Sequence, residues 1–408
     1  MKLLELSKIK DCVVSKHTSG LNMLFYPGIT NKIGIYLGVN IGALTDNHWV
    51  PGMAHFVEHY IWDNENCNDT LFSETGGMAN AYTDEKKTIF YVQCYNHVER
   101  NLEILLKTVF QPVFNKQKVE KNRRLILKEL NMYDNIEIEI HNKCYKNISN
   151  EINAFGTDII GTVNSIENIT YDKIIEFYEK FYQPANMYLV IIGNYNKFCV
   201  SEKLDEYLQN CKIPVAISDN TWWTKILIKS LVKIDMTKHI ESNKSFQFSF
   251  YIKLKDKNKL YFKIVFEFLI NYMLGNGSEL YFRIQEEQNL SFLNYETIVI
   301  GDYIIGNIYG KTIDNSIILL ELFHKVNEME QYISKDLFIK CQKSIAAYYL
   351  SGLENTVQMI DTLLACFNSN ITLKDFFKLI EKVSDTELKD VCREVIKNKN
   401  YIIDVWED

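Results

Sequence analysis

Proline and glycine are scarce, at 5 and 17 in 408 residues. That scarcity excludes collagen-like chains, linker-rich arrays and turn-dense propellers. Long apolar runs are missing too. The longest, such as Tyr188-Leu189-Val190-Ile191-Ile192, are strand-length, far short of the roughly 20 residues that span a bilayer. No basic excess exists, since 45 Lys and Arg face 52 Asp and Glu for a net charge of −7. A general nucleic-acid binder is therefore not expected. The segment Met1 to Lys8 has neither the apolar stretch of a secretory signal nor the Arg-rich character of an organellar presequence. Nine cysteines are scattered without a CxxC pair, so reduced thiols and a cytoplasmic location are expected.

What is present suffices for a large core. Hydrophobic residues make up 47% and charged residues 24%, and the length suits two units of roughly 200 residues each. β-Branched and aromatic alternation marks strands at 32–39, 88–94 and 187–192. Apolar residues at helical spacing mark helices at 97–110, 116–133 and 171–181. Weak periodicity around Trp222-Trp223 makes 211–230 a linker between an N-terminal half, 1–210, and a C-terminal half, 231–408. Beyond the linker a similar order returns: a strand over 245–254, helices over 259–274 and 278–288, then strands around 295–308. The expected fold is α+β, with two α/β-roll halves built on antiparallel or mixed sheets, the product of an old internal duplication.

The sharpest chemical feature is His55-Phe56-Val57-Glu58-His59, or H-x-x-E-H. On a helix its two histidines lie about 40° apart around the axis, on one face. Two neutral imidazoles so placed grip a metal ion, and an adjacent carboxylate can take a proton from water on that metal. The alternative is coincidence on an amphipathic helix. With eight histidines in the chain, a chance occurrence is roughly a one-in-a-hundred event. A third ligand is then required, and the charged helix from Val119 to Leu130 offers Glu120 and Glu129. Spacing does not choose between them, and a Glu in a Lys/Arg-rich helix is usually solvated surface.

The motif, followed by Gly76-Gly77-Met78-Ala79-Asn80-Ala81-Tyr82-Thr83 and by 119–129, resembles the inverzincin peptidases of the pitrilysin/insulinase family. The resemblance runs from about residue 12 to 405. It implies a clamshell-forming fold and Zn²⁺ held by His55, His59 and Glu129, with Glu58 as general base. It also implies that the strand Asn80, Ala81, Tyr82 and Thr83 binds an extended peptide substrate by backbone pairing. The family's helix pattern has a middle acid where this chain has Asn122. A larger departure lies in the second half, where Gln285 and Phe292 stand at the positions of the family's active-site Arg and Tyr. Gln lacks the charge and Phe the hydroxyl that would stabilise an oxyanion.

Two-subunit members divide these parts between chains. The resemblance thus implies the zinc-bearing subunit of a heterodimer whose homologous non-zinc partner supplies Arg and Tyr. A homodimer, with Arg283 as substitute, is the alternative. The implied activity is zinc-dependent endopeptidase action on unfolded peptides, for instance removal of a leader. A silent structural or assembly subunit of the same fold is the competing reading.

Overall fold

The computed structural model describes residues 9–28, 30–43, 49–63, 69–132, 136–152, 159–195, 197–209, 244–254, 258–275, 277–286, 290–312 and 315–406. The linker expected at 211–230 lies outside them. The first half contains strands β1 (Val13–Lys16), β2 (Asn22–Tyr26), β3 (Ile33–Val39), β4 (Met78–Thr83), β5 (Thr88–Cys94) and β6 (Met187–Ile192). Its helices are α1 (Met53–Trp62), α2 (Asp69–Glu74), α3 (Val98–Phe110), α4 (Lys116–Met132), α5 (Ile136–Ile152), α6 (Val163–Glu167), α7 (Tyr171–Phe181) and α8 (Lys197–Gln209). The second half contains β7 (Lys244–Lys253), β8 (Leu290–Ile300), β9 (Tyr303–Thr312) and β10 (Tyr401–Trp406). Its helices are α9 (Lys259–Leu274), α10 (Glu279–Glu286), α11 (Asn315–Gln331), α12 (Lys335–Gly352), α13 (Thr356–Asn368), α14 (Leu373–Lys382) and α15 (Asp385–Asn398).

The first sheet has the order β1-β2-β6-β3-β5-β4 and is mixed, because β2 and β6 run parallel. The second, β10-β7-β9-β8, is antiparallel throughout. Its order repeats β6-β3-β5-β4 strand for strand, and α9 follows β7 as α1 follows β3. The two-half layout expected from the sequence is thus present in the topology.

The first sheet is buried on both faces, which explains the unbroken apolar run in β6. On one face Ile35, Leu37, Leu189 and Ile191 pack with residues of α1, α3 and α7. On the other, Tyr36, Tyr188, Val190 and Ile192 join the core of the second half. There Tyr36 donates to Thr356 Oγ1 at 2.8 Å, and Gln93 Nε2 reaches the same oxygen at 2.7 Å. Helix α5 crosses from the first half to the second sheet, seating Ile140, Cys144 and Ile148 against Tyr309, Ile298 and Ile305. A polar seam runs beneath it. Asn147 donates to Gln247 and Asp404, and Tyr145 donates to Glu296 at 2.8 Å.

Three of the four outermost strands share a local device. Asn80 on β4, Asn294 on β8 and Asp404 on β10 each accept, through Oδ1, the backbone N–H of the following residue, at 2.8, 2.9 and 3.0 Å. Among the described residues, Cys94, Cys144, Cys341, Cys366 and Cys392 are free thiols. Among the described residues, no helix is long and apolar enough to cross a membrane.

Candidate active site

Helix α1 begins at Gly52, whose φ of 83° lies in the left-handed region. A Cβ there would come within 2.3 Å of the Ile160 carbonyl oxygen, so only glycine permits this start. From it the helix turns Met53, Ala54, Phe56, Val57, Tyr60 and Ile61 into the core. The remaining face presents His55, Glu58 and His59. His55 and Glu58 are only 7% and 6% exposed, whereas the His59 side chain is 27% exposed.

Helix α4 is clasped to the end of α1. Asp63, just beyond α1, receives Lys121 Nζ at 2.6 Å and Asn122 Nδ2 at 3.2 Å on its carboxylate, and Lys118 Nζ at 2.6 Å on its carbonyl. Tyr60 exchanges two hydrogen bonds with the backbone of Asn115, ahead of α4. Arg123 donates to the carbonyls of Ile166 and Ile169. Asn122 is thus a buried clamp between helices, not an auxiliary acid.

This clasp chooses between the two carboxylates of α4. The Glu120 side chain is 66% exposed and pairs with Arg123. Glu129 points at the histidines, with 3.2 Å from Oε2 to His59 Nε2 and 3.8 Å from Oε1 to His55 Nε2. One donor atom from each of His55, His59 and Glu129 lies within 4.8 Å of the others. Tetrahedral zinc with bonds near 2.1 Å separates its ligands by about 3.4 Å. The set therefore fits such an ion in chemistry and spacing.

Burial, then the neighbouring His59, push His55 down to about 4, against Glu129. The neutral imidazole so favoured is the ligating form. Burial also lowers His59, but the Glu129 hydrogen bond and the charges of Glu58 and Glu129 outweigh it and leave the pKa raised. Burial lifts Glu58 to about 7, with the Thr83 hydrogen bond and His59 opposing.

Strand β4 forms one edge of the first sheet, pairing with β5 along the register Asn80↔Tyr91 to Thr83↔Thr88. Asn80 is exposed and Ala81 and Tyr82 half-buried, but Thr83 is buried. Its hydroxyl donates to Glu58 Oε2 at 2.7 Å. Sequence reasoning missed this contact. Nothing in the strand pattern separates a threonine aimed at solvent from one aimed at a carboxylate. In the second half, Phe292 packs among Ile140, Cys144 and Tyr309. Arg283 is ion-paired with Glu321 at 2.5 Å. The Gln285 side chain lies outside the described ones.

The chain thus combines two like α+β halves with an inverted His-Glu-His helix beside a sheet edge. Residues 29–162 match the family described as Insulinase (Peptidase family M16), and residues 168–329 match Peptidase M16 inactive domain. The chain belongs to the insulinase family. It is 35% identical over 194 residues to YmfH, an uncharacterized zinc protease of Bacillus subtilis, covering 44% of each protein. It is 31% identical over 187 residues to the chloroplastic stromal processing peptidase of Arabidopsis thaliana, covering 43% of this chain and 15% of that protein. These matches span less than half the length of either relative. In fold it is similar to a protease from Helicobacter pylori, with a TM-score of 0.83 at 16% identity, covering 98% of this chain and 100% of that one.

Proposed function

We propose that this chain is a zinc-dependent endopeptidase that cleaves extended peptides. The observation that carries the reading is the convergence of His55, His59 and Glu129, with buried Glu58 on the same helix and the β4 edge alongside. Zinc, when bound, supplies Lewis acidity toward a water and the scissile carbonyl. Glu58 accepts the proton of the attacking water at a carboxylate oxygen and returns it to the leaving amine. The β4 backbone from Asn80 to Thr83 pairs with the peptide and holds it extended.

Removal of a leader segment is the proposed task, supported by the processing-peptidase name of the Arabidopsis relative. The missing Arg and Tyr favour a heterodimer in which a homologous non-zinc subunit supplies them. Phe292 is engaged in packing and Arg283 in an ion pair, which supports that reading over a self-sufficient homodimer. The cysteine pattern supports a cytoplasmic location.

The test is elemental analysis of the purified chain, followed by a peptide-library digest with and without a chelator. About one zinc per chain is expected, with cleavage abolished by the chelator and restored by zinc. A chain that takes up no zinc after supplementation would make the silent structural subunit the better account.

A further inference from the structure

The side chain of Thr83 has no role in backbone pairing, yet it is 9% exposed and its hydroxyl lies 2.7 Å from Glu58 Oε2. A hydroxyl carries one proton. Among the described residues, the only other side chain bonded to Thr83 Oγ1 is Thr88, at 3.2 Å, and Thr88 Oγ1 also has the Ile41 carbonyl at 3.0 Å as an acceptor. With the Thr88 proton placed on that carbonyl, the Thr83 proton goes to the carboxylate.

The hydroxyl is also held in place. Thr83 and Thr88 form the last cross-strand pair before the β4–β5 turn. That turn is closed by Asp84 Oδ1, which accepts the N–H groups of Lys86 and Lys87, each at 2.7 Å. A glutamate side chain has three rotatable bonds and no rigidity of its own. Fixing Oε2 leaves Oε1 as the oxygen free for proton transfer.

We propose that Thr83 is a positioning residue for Glu58, its hydroxyl locking the carboxylate in the orientation that proton transfer requires. This rests on the reading of Glu58 as the proton acceptor. It also makes one strand responsible for two alignments, since the β4 backbone holds the peptide and the β4 side chain holds the base. Thr83 thus acts through Glu58, and its hydroxyl does not contact the peptide.

The experiment compares Thr83→Val, which keeps the shape and removes the hydroxyl, with Thr83→Ser, which restores it. Both are assayed in the assembly that cleaves peptide. The valine variant is expected to lose about 10- to 100-fold in kcat, with KM and zinc content unchanged, and the serine variant to recover most of the loss. A rise in KM at constant kcat would overturn the proposal and return Thr83 to peptide binding.

A second readout needs no activity. In metal-free protein, Thr83→Val and Glu58→Ala, the latter removing the acceptor, should together lower the Tm by less than the sum of the two single shifts. Additive shifts would show no bond between the pair and overturn the proposal. A wild-type assembly that cleaves no peptide would instead refute the peptidase reading, and the melting cycle tells these failures apart.

Discussion

Glu58 and Glu129 lie on different helices, and their surroundings differ. Glu58 is 6% exposed and takes a neutral hydroxyl donor, whereas the Glu129 side chain is 27% exposed and meets both imidazoles. Glu58→Gln keeps the shape and removes the basic oxygen. It is expected to retain zinc and to lower peptide turnover by at least about 100-fold, read by elemental analysis and a quenched-peptide assay. Glu129→Gln is expected to lose the metal itself, because a neutral amide is a far poorer zinc ligand than a carboxylate. Zinc content after dialysis distinguishes the two.

Helix α4 holds Glu129 only as accurately as its clasp to α1 allows. Asp63 holds three residues of α4 at once, so Asp63→Ala is expected to weaken zinc binding about 10-fold while leaving every ligand in place. Competition with a chromophoric chelator measures it. At the far end of the chain, α14 opens with a capping box in which Thr372 and Asp375 bond reciprocally. Thr372→Ala should cost about 1 kcal/mol, seen in urea unfolding. Lys378, then Thr372, hold the Asp375 carboxyl down at about 2. Its contribution is therefore complete above the ordinary carboxylate value and is lost as pH falls through about 2. The stability gap between wild type and Asp375→Asn should close over that acid range.

Most elements were legible because their apolar spacing is clean. Tyr171–Phe181 and Lys259–Leu274 form helices with the bounds expected from periodicity. Helix α5 was not read from the sequence, since Ile136-Glu137-Ile138-Glu139-Ile140 alternates like a strand. Its helical logic emerges only from Ile140, Cys144 and Ile148, four residues apart, which meet a sheet more than a hundred residues away. The convergence of His55, His59 and Glu129 was legible through spacing and family resemblance. The Thr83–Glu58 bond and the Asp63 clasp were not, because each joins separate elements and leaves no local pattern.

Across the whole molecule, the halves are joined by apolar packing and by a small buried polar joint at Tyr36, Gln93 and Thr356. Tyr36→Phe removes one of the two donors to Thr356 Oγ1, Gln93 keeping the other, and is expected to cost about 1 kcal/mol, measured as a fall in the thermal midpoint. The repeated topology also shows what the second half has in place of the His-Glu-His helix. Helix α9, in the position of α1, carries Ile264, Val265, Phe268 and Leu269 fully into the core, so this copy serves as scaffold. The side-chain oxygens of Asn80, Asn294 and Asp404 have a consequence for colloidal behaviour. Each covers a backbone donor on an outermost strand, where an unpaired donor would template the next chain. A concentrated stock of the protein should therefore resist strand-to-strand association. The triple alanine variant should form thioflavin-positive material, and a peptide that paired with β4 would first have to turn the Asn80 amide aside.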